Sequence, residues 1–241
     1  MTSRSERLTS LADSTDDGSA ASFLEVITER HCKRAFLDRP VSRDVLEAVL
    51  RAAGHAPSSR NTQTWHVEIL IGAARENLSQ RLCASFDAEL PRSPGYVNRP
   101  ATMTPAQDER AKLAGIGLFA ARGIARDDPA ARRTHDRDNL RFYGAPAAMI
   151  LHLPGNAEAG TFLDMGMFLQ NVMLGLVAFG LGSCPQYSVA GYGSVIREEL
   201  GLPADRVIVC GLSLGYPDTD APVNRFYPAR ARLDEYATWR D

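Results

Sequence analysis

The sequence predicts a single α+β domain with helices packed around a modest sheet. Short β-rich runs stand at 66–71, 147–153 and 206–214, with the length and composition of strands. Segments with apolar residues at helical spacing separate them, and neither a repeat nor a linker divides the 241 residues. A long run, Gly160 to Leu181, is apolar on nearly every side, as suits a helix more buried than a one-faced surface helix.

The elements follow in order. Residues 1–21 are rich in Ser, Thr, Asp and Arg; with little apolar surface to bury, they predict a flexible tail, and the domain proper spans 22–241. A first helix runs from Ser22 to Arg30 on Phe23, Leu24, Val26 and Ile27. After Arg39 and Pro40 break the chain, Ser42 is placed to cap a second helix reaching Ala53, with Val45, Leu46, Val49 and Leu50 inward. The strand 66–71 precedes helical patterns at 74–89 and 106–124. Between those two, Pro91 to Pro105 is long for a connection and reads as a lid or surface excursion. The strand 147–153, the apolar helix, a short helix from Ser194 to Leu200 ended by Gly201, and the strand 206–214 follow. The stretch 216–241 is rich in Pro and Arg and shows little regular pattern.

Bulk properties exclude several function classes. A net charge of −2 gives no global attraction to nucleic acid or anionic lipid. The most hydrophobic stretch, Val172 to Leu181, is half the length of a bilayer span, and the N-terminus has no apolar core of a signal peptide. Cysteines at 32, 83, 184 and 210 show neither CxxC nor zinc-ligand spacing, so a reducing, cytoplasmic location without a metal centre is expected.

Two motifs match by letters only. Gly211, Ser213 and Gly215 spell a nucleophile elbow, but no helix follows and no histidine lies beyond His152 to act as base. Gly115, Gly117 and Ala120 spell a dinucleotide fingerprint, yet they sit inside a helical pattern, where glycines permit close packing and cradle no phosphate. The histidines show no metal-ligand spacing, and His66 and His152, in strand candidates, read as hydrogen-bonded core residues. With self-contained chemistries set aside, activity must come from a cofactor or from binding.

Three separated segments make sense together. Arg30, His31, Cys32, Lys33 and Arg34 put cations at the exit of a helix; alone, they could equally be a solvated charge run. Pro57, Ser58, Ser59, Asn61 and Gln63 lead into Trp65, hydrogen-bonding groups on a constrained backbone that suit a polar, planar ligand. Arg225, Arg230 and Arg232 follow Asn224 and could clamp a phosphate.

With these segments the chain resembles the nitroreductase superfamily. The family opens with Arg-Arg/His-Ser-x-Arg/Lys-x-Phe, continues with Pro-Ser-Ser-x-Asn-x-Gln-Pro-Trp and closes with an Asn- and Arg-containing run. Asp164, Gly166, Gln170 and Asn171 followed by Gly180 to Gln186 look like its central helix and flavin loop, and Asn139 to Pro146 looks like a segment of its nitrobenzoate-reductase-like branch. The resemblance runs from about residue 22 to the C-terminus. Cys32 stands where Ser is usual, and Thr64 and Arg232 replace prolines.

The resemblance implies a small, mostly antiparallel sheet wrapped by helices, and a homodimer sharing two FMN sites. It implies NAD(P)H as electron donor, small electron-poor molecules such as nitroaromatics as acceptors, and a ping-pong cycle. A flavin-fragmenting or dehalogenating relative, or a flavin-binding protein with little catalysis, are the alternatives. Arg30, His31 and Cys32 match positions near the FMN phosphate and ribityl chain, and Arg34 the cation near the isoalloxazine N1 and O2 edge. Pro57, Ser58, Ser59 and Asn61 match a loop reaching the flavin from the partner subunit. Pro185, Gln186, Tyr187 and Ser188 match the loop approaching N5, and Arg230 matches a phosphate-binding arginine.

Overall fold

Among residues 19–240, those described by this computed structural model, four strands form one antiparallel sheet. They are β1 (His66–Ile71), β2 (Ala147–Leu153), β3 (Gly182–Gln186) and β4 (Val207–Gly215), in the spatial order β1-β2-β4-β3. Eight helices surround it: α1 (Ser19–Glu29), α2 (Arg43–Ala53), α3 (Gly72–Asp87), α4 (Pro105–Ala121), α5 (Pro129–Leu140), α6 (Ala159–Ala178), α7 (Tyr187–Ala190) and α8 (Gly193–Leu200). The tail expected over 1–21 lies outside the described residues as far as residue 18, and α1 begins within its last three positions.

The core lies on both faces of β2, whose seven residues are all buried. Successive side chains of a strand point to opposite faces. Met149, Leu151 and Leu153 therefore pack with Leu46 and Val49 of α2 and Met165, Phe168 and Val172 of α6. Ala148 and Ile150 meet Leu78 and Leu82 of α3, Leu140 of α5 and Ile196 of α8. Each fully buried Leu, Ile or Met side chain contributes roughly 2 kcal/mol. Because both faces are covered, the strand reads as a continuous apolar run.

Several expectations need correction. β3 was not foreseen: Gly182, Ser183 and Pro185 are poor strand formers, tolerated because Pro185 lies in an edge strand. The helix α5 was not foreseen; it is started by Asp128, whose side chain accepts from Ala131 N. Ser42 holds the N-cap position of α2 but makes no side-chain cap bond. His66 is exposed and stacks on His152, which is buried and 3.3 Å from Glu68.

The apolar helix α6 also differs. It stops at Ala178, and Gly180 at φ +71° turns the chain into β3. It is long and apolar enough to cross a membrane by length and composition, exceeding the ten-residue run on which the opposite expectation rested. Buried Met165, Phe168 and Val172 instead seat it against α2 and the sheet, while Leu163 is 67% exposed.

Candidate functional site

The segment after α1 is docked between two parts of the sheet. Cys32 pairs with Ser183 of β3 in a parallel bridge, and Lys33 N donates to Ser183 O at 3.0 Å. Farther along, Phe36 pairs with Pro217 just beyond β4, and Leu37 N donates to Tyr216 O at 2.9 Å. The run from His31 to Leu37 is thereby fixed although it contains no helix or full strand.

Asn224 locks the C-terminal segment to this run. Its Oδ1 accepts from Arg34 N at 2.7 Å, and its Nδ2 donates to Ala35 O at 2.7 Å and Asp218 O at 2.8 Å. His31 is buried, with Nδ1 2.8 Å from Glu29 O and Nε2 2.7 Å from Lys33 Nζ. Nε2 also lies 2.9 Å from Asn224 O, so the tautomer protonated at Nδ1 donates to the Glu29 carbonyl and accepts from Lys33, and the one protonated at Nε2 donates to the Asn224 carbonyl.

These contacts frame a cavity of about 200 Å3 lined by Arg30, His31, Cys32 and Arg34, by Ala114, Gly115 and Leu118 of α4, and by Phe226, Pro228 and Arg230. α4 is fixed at its start by a capping box between Thr104 and Gln107. Gly117 of α4 faces Phe226 so closely that a Cβ would meet the ring, so this glycine permits close packing, as expected.

The electrostatics favour an anion. Three guanidinium groups meet one small cavity, and Arg34 Nε is buried without a hydrogen-bond partner. The guanidinium carbons of Arg34 and Arg122 lie 6.0 Å and 5.7 Å from the centre of the Tyr143 ring. The Cys32 thiol is lowered to about 6 by a hydrogen bond with Cys184, against the effect of burial, and then by the charges of Arg34, Arg30 and His31. Cys184 moves the opposite way, raised by that same bond and by complete burial.

Five of the expected site residues thus meet: Arg30, His31, Cys32, Arg34 and Arg230. Pro57, Ser58, Ser59 and Asn61 do not join this cavity within the chain; their loop is pinned to α6 by Ser59 N donating to Asp164 Oδ2 at 3.1 Å. Pro185 and Gln186 end β3, two and three residues beyond the Cys32 bridge, and Tyr187 and Ser188 open α7. Gln186 donates to Asn139 O, and Tyr187 Oη donates to Tyr96 O at 2.9 Å. Ser188 Oγ and Gln186 Oε1 are buried and unpaired.

A sequence model of the Nitroreductase family matches residues 27–216. The chain is 40% identical to Nitroreductase NfnB of Mycolicibacterium smegmatis over 210 residues, covering 87% of this chain and 89% of the relative. The chain belongs to the nitroreductase family.

Other members give the same picture. 4-Nitrobenzoate reductase of Pseudomonas putida is 35% identical over 84% of this chain and 88% of its own length. The crystal structure of the FMN-dependent nitroreductase NfnB from Mycobacterium smegmatis in complex with NADPH superposes with a TM-score of 0.88 at 38% identity, covering 92% of this chain and 99% of that one. The α+β architecture, a small antiparallel sheet wrapped by helices, is therefore the nitroreductase fold.

Asn224, Tyr143, Arg122 and Cys184 were not among the expected site residues. Asn224 and Tyr143 fell inside quoted motifs, so their signal was position within a run and not side-chain chemistry. Nothing local marked Arg122, which reaches the site only because α4 ends beside Tyr143.

Proposed function

We propose that this nitroreductase-family chain is an FMN-dependent oxidoreductase that takes electrons from NAD(P)H and reduces nitroaromatic and similar electron-poor small molecules. We infer further that it works in the cytoplasm as a homodimer. The observation that carries the proposal is the convergence of Arg30, Arg34 and Arg230 with Leu118, Phe226 and Pro228 on one cavity.

The residues fit the cofactor. Arg30 and Arg230 offer paired N–H donors suited to a phosphate. The unpaired Nε of Arg34 is a buried donor awaiting an acceptor, such as the pyrimidine edge of a flavin. When bound, FMN supplies the two-electron chemistry between nicotinamide and acceptor in a ping-pong cycle. Arg34 holds positive charge where reduction would gather negative charge, and this fixed electrostatic support requires no triad. Pro185 to Ser188 carry the backbone proposed to approach flavin N5.

The cavity of about 200 Å3 is smaller than the roughly 300 Å3 at which small-molecule sites usually begin. One chain therefore supplies only part of the enclosure, and we assign the rest to the 57–61 loop of the partner subunit. Exposed Pro57, Ser59 and Asn61 are free to serve the other chain in this way.

The direct test is to denature the purified protein and weigh the released chromophore. FMN is expected, together with substrate-dependent NADH or NADPH oxidation. Recovery of FAD, or no flavin after reconstitution, contradicts the proposal.

A further inference from the structure

We infer that Tyr143 is a positioning residue of the flavin site: its ring seats the Arg34 guanidinium, and a strained turn holds the ring there. The inference rests on the role proposed above for Arg34. Three consecutive residues, Phe142, Tyr143 and Gly144, stand at φ of +52°, +53° and +71°. Glycine takes that conformation freely, but a bulky side chain there is an outlier that persists only where its surroundings impose it.

The two aromatic residues are held differently. Phe142 is fully buried and packs with Leu140, Ala148 and Ile150, so the core alone accounts for its strain. Tyr143 is half-buried and belongs to neither core cluster. Its ring instead meets two cations: the guanidinium carbons of Arg34 and Arg122 lie 6.0 Å and 5.7 Å from its centre, at the reach of a cation–π contact. Its Oη donates to Asn139 Oδ1 at 2.7 Å, and Asn139 Nδ2 donates to His135 O at 3.1 Å. Gln186, at the end of β3, donates to Asn139 O. Through Asn139 the ring is tied both to α5 and to the strand whose end is proposed to approach flavin N5.

This arrangement acts on Arg34 and not on a bound molecule. Tyr143 is absent from the cavity walls, and its hydroxyl proton is taken up by Asn139. Burial pushes the phenol above its ordinary value, so it offers the cations a neutral ring and no charge to cancel theirs. Arg122 is already paired with Asp138 Oδ2 at 2.6 Å, whereas Arg34 Nε is unpaired. The ring therefore fixes Arg34 without neutralising the charge that the cavity needs.

Three substitutions test this. Tyr143→Phe keeps the ring and Tyr143→Leu removes it. Tyr143→Asn removes it while suiting the left-handed backbone, which provides a ringless chain if the leucine variant fails to fold. In flavin-free protein carrying isotope-labelled arginine, the Arg34 Nε–H signal in the magnetic resonance spectrum is identified by its loss in Arg34→Lys. It should shift in Tyr143→Leu and Tyr143→Asn and stay near its wild-type position in Tyr143→Phe. With FMN bound, the ringless variants should show a lowered flavin midpoint potential. Their reduction by saturating NAD(P)H should be about tenfold slower, with KM little changed. An Arg34 signal unmoved in the ringless variants, a phenylalanine variant displaced as far as the leucine one, or a wild-type potential without the ring overturns the inference. Wild-type protein that binds no flavin contradicts the proposed function instead, and the arginine signal then still decides whether Tyr143 holds Arg34.

Discussion

Arg34 is the residue on which the electrostatic account turns. Its guanidinium borders the cavity, its Nε is buried and unpaired, and its backbone is held by Asn224. Arg34→Ala removes one preorganised charge, which typically costs about 3 kcal/mol, or roughly a hundredfold in rate. Stopped-flow reduction by NAD(P)H at saturating FMN should show that slowing; a wild-type rate there would reduce Arg34 to a surface cation. The residue was legible in the sequence because it shares a short run with Arg30 and Cys32. Asn224 was not, because its importance comes from three contacts with segments that only the fold brings near.

At the scale of elements, strands with strong local signals were legible and those defined by their neighbours were not. β2 and β4 announce themselves through apolar runs covered on both faces. β3 is a strand because β4 pairs with it, in spite of Gly182 and Pro185. α5 has few apolar residues, so its periodicity is weak, and its start depends on the Asp128 cap. The two glycines of α4 give a sharp test of packing. A Cβ at Gly115 would meet nothing within 4 Å, whereas one at Gly117 would meet the Phe226 ring. Gly115→Ala gains helix propensity of up to about 1 kcal/mol and should raise the melting temperature by roughly 2 °C. Gly117→Ala must displace Phe226, a cavity wall, and overpacking of this kind costs about 1–3 kcal/mol. Differential scanning calorimetry should place the two variants on opposite sides of wild type.

For the whole molecule, the proposed homodimer has each chain complete the other's site. Leu113 and Ile116 on α4, Leu163 on α6 and Trp239 near the C-terminus are all more than half exposed, apolar surface of the kind that marks an interface. A shared site makes a specific prediction for mixed dimers. An Arg34→Ala chain refolded with an Asn61→Ala chain should recover activity, because one of the two sites in the heterodimer then receives both intact segments. Sites contained within single chains would give no recovery. The central claim, that a bound flavin passes electrons from nicotinamide to an electron-poor acceptor, is tested most directly by anaerobic double mixing. The purified protein is mixed with NADPH or NADH and then with a nitroaromatic while the visible flavin absorbance is followed. The account predicts bleaching on the first mix and full return on the second, with no flavin lost over repeated cycles. Flavin that fails to bleach with either nicotinamide, or that bleaches and does not return with the acceptor, would contradict it.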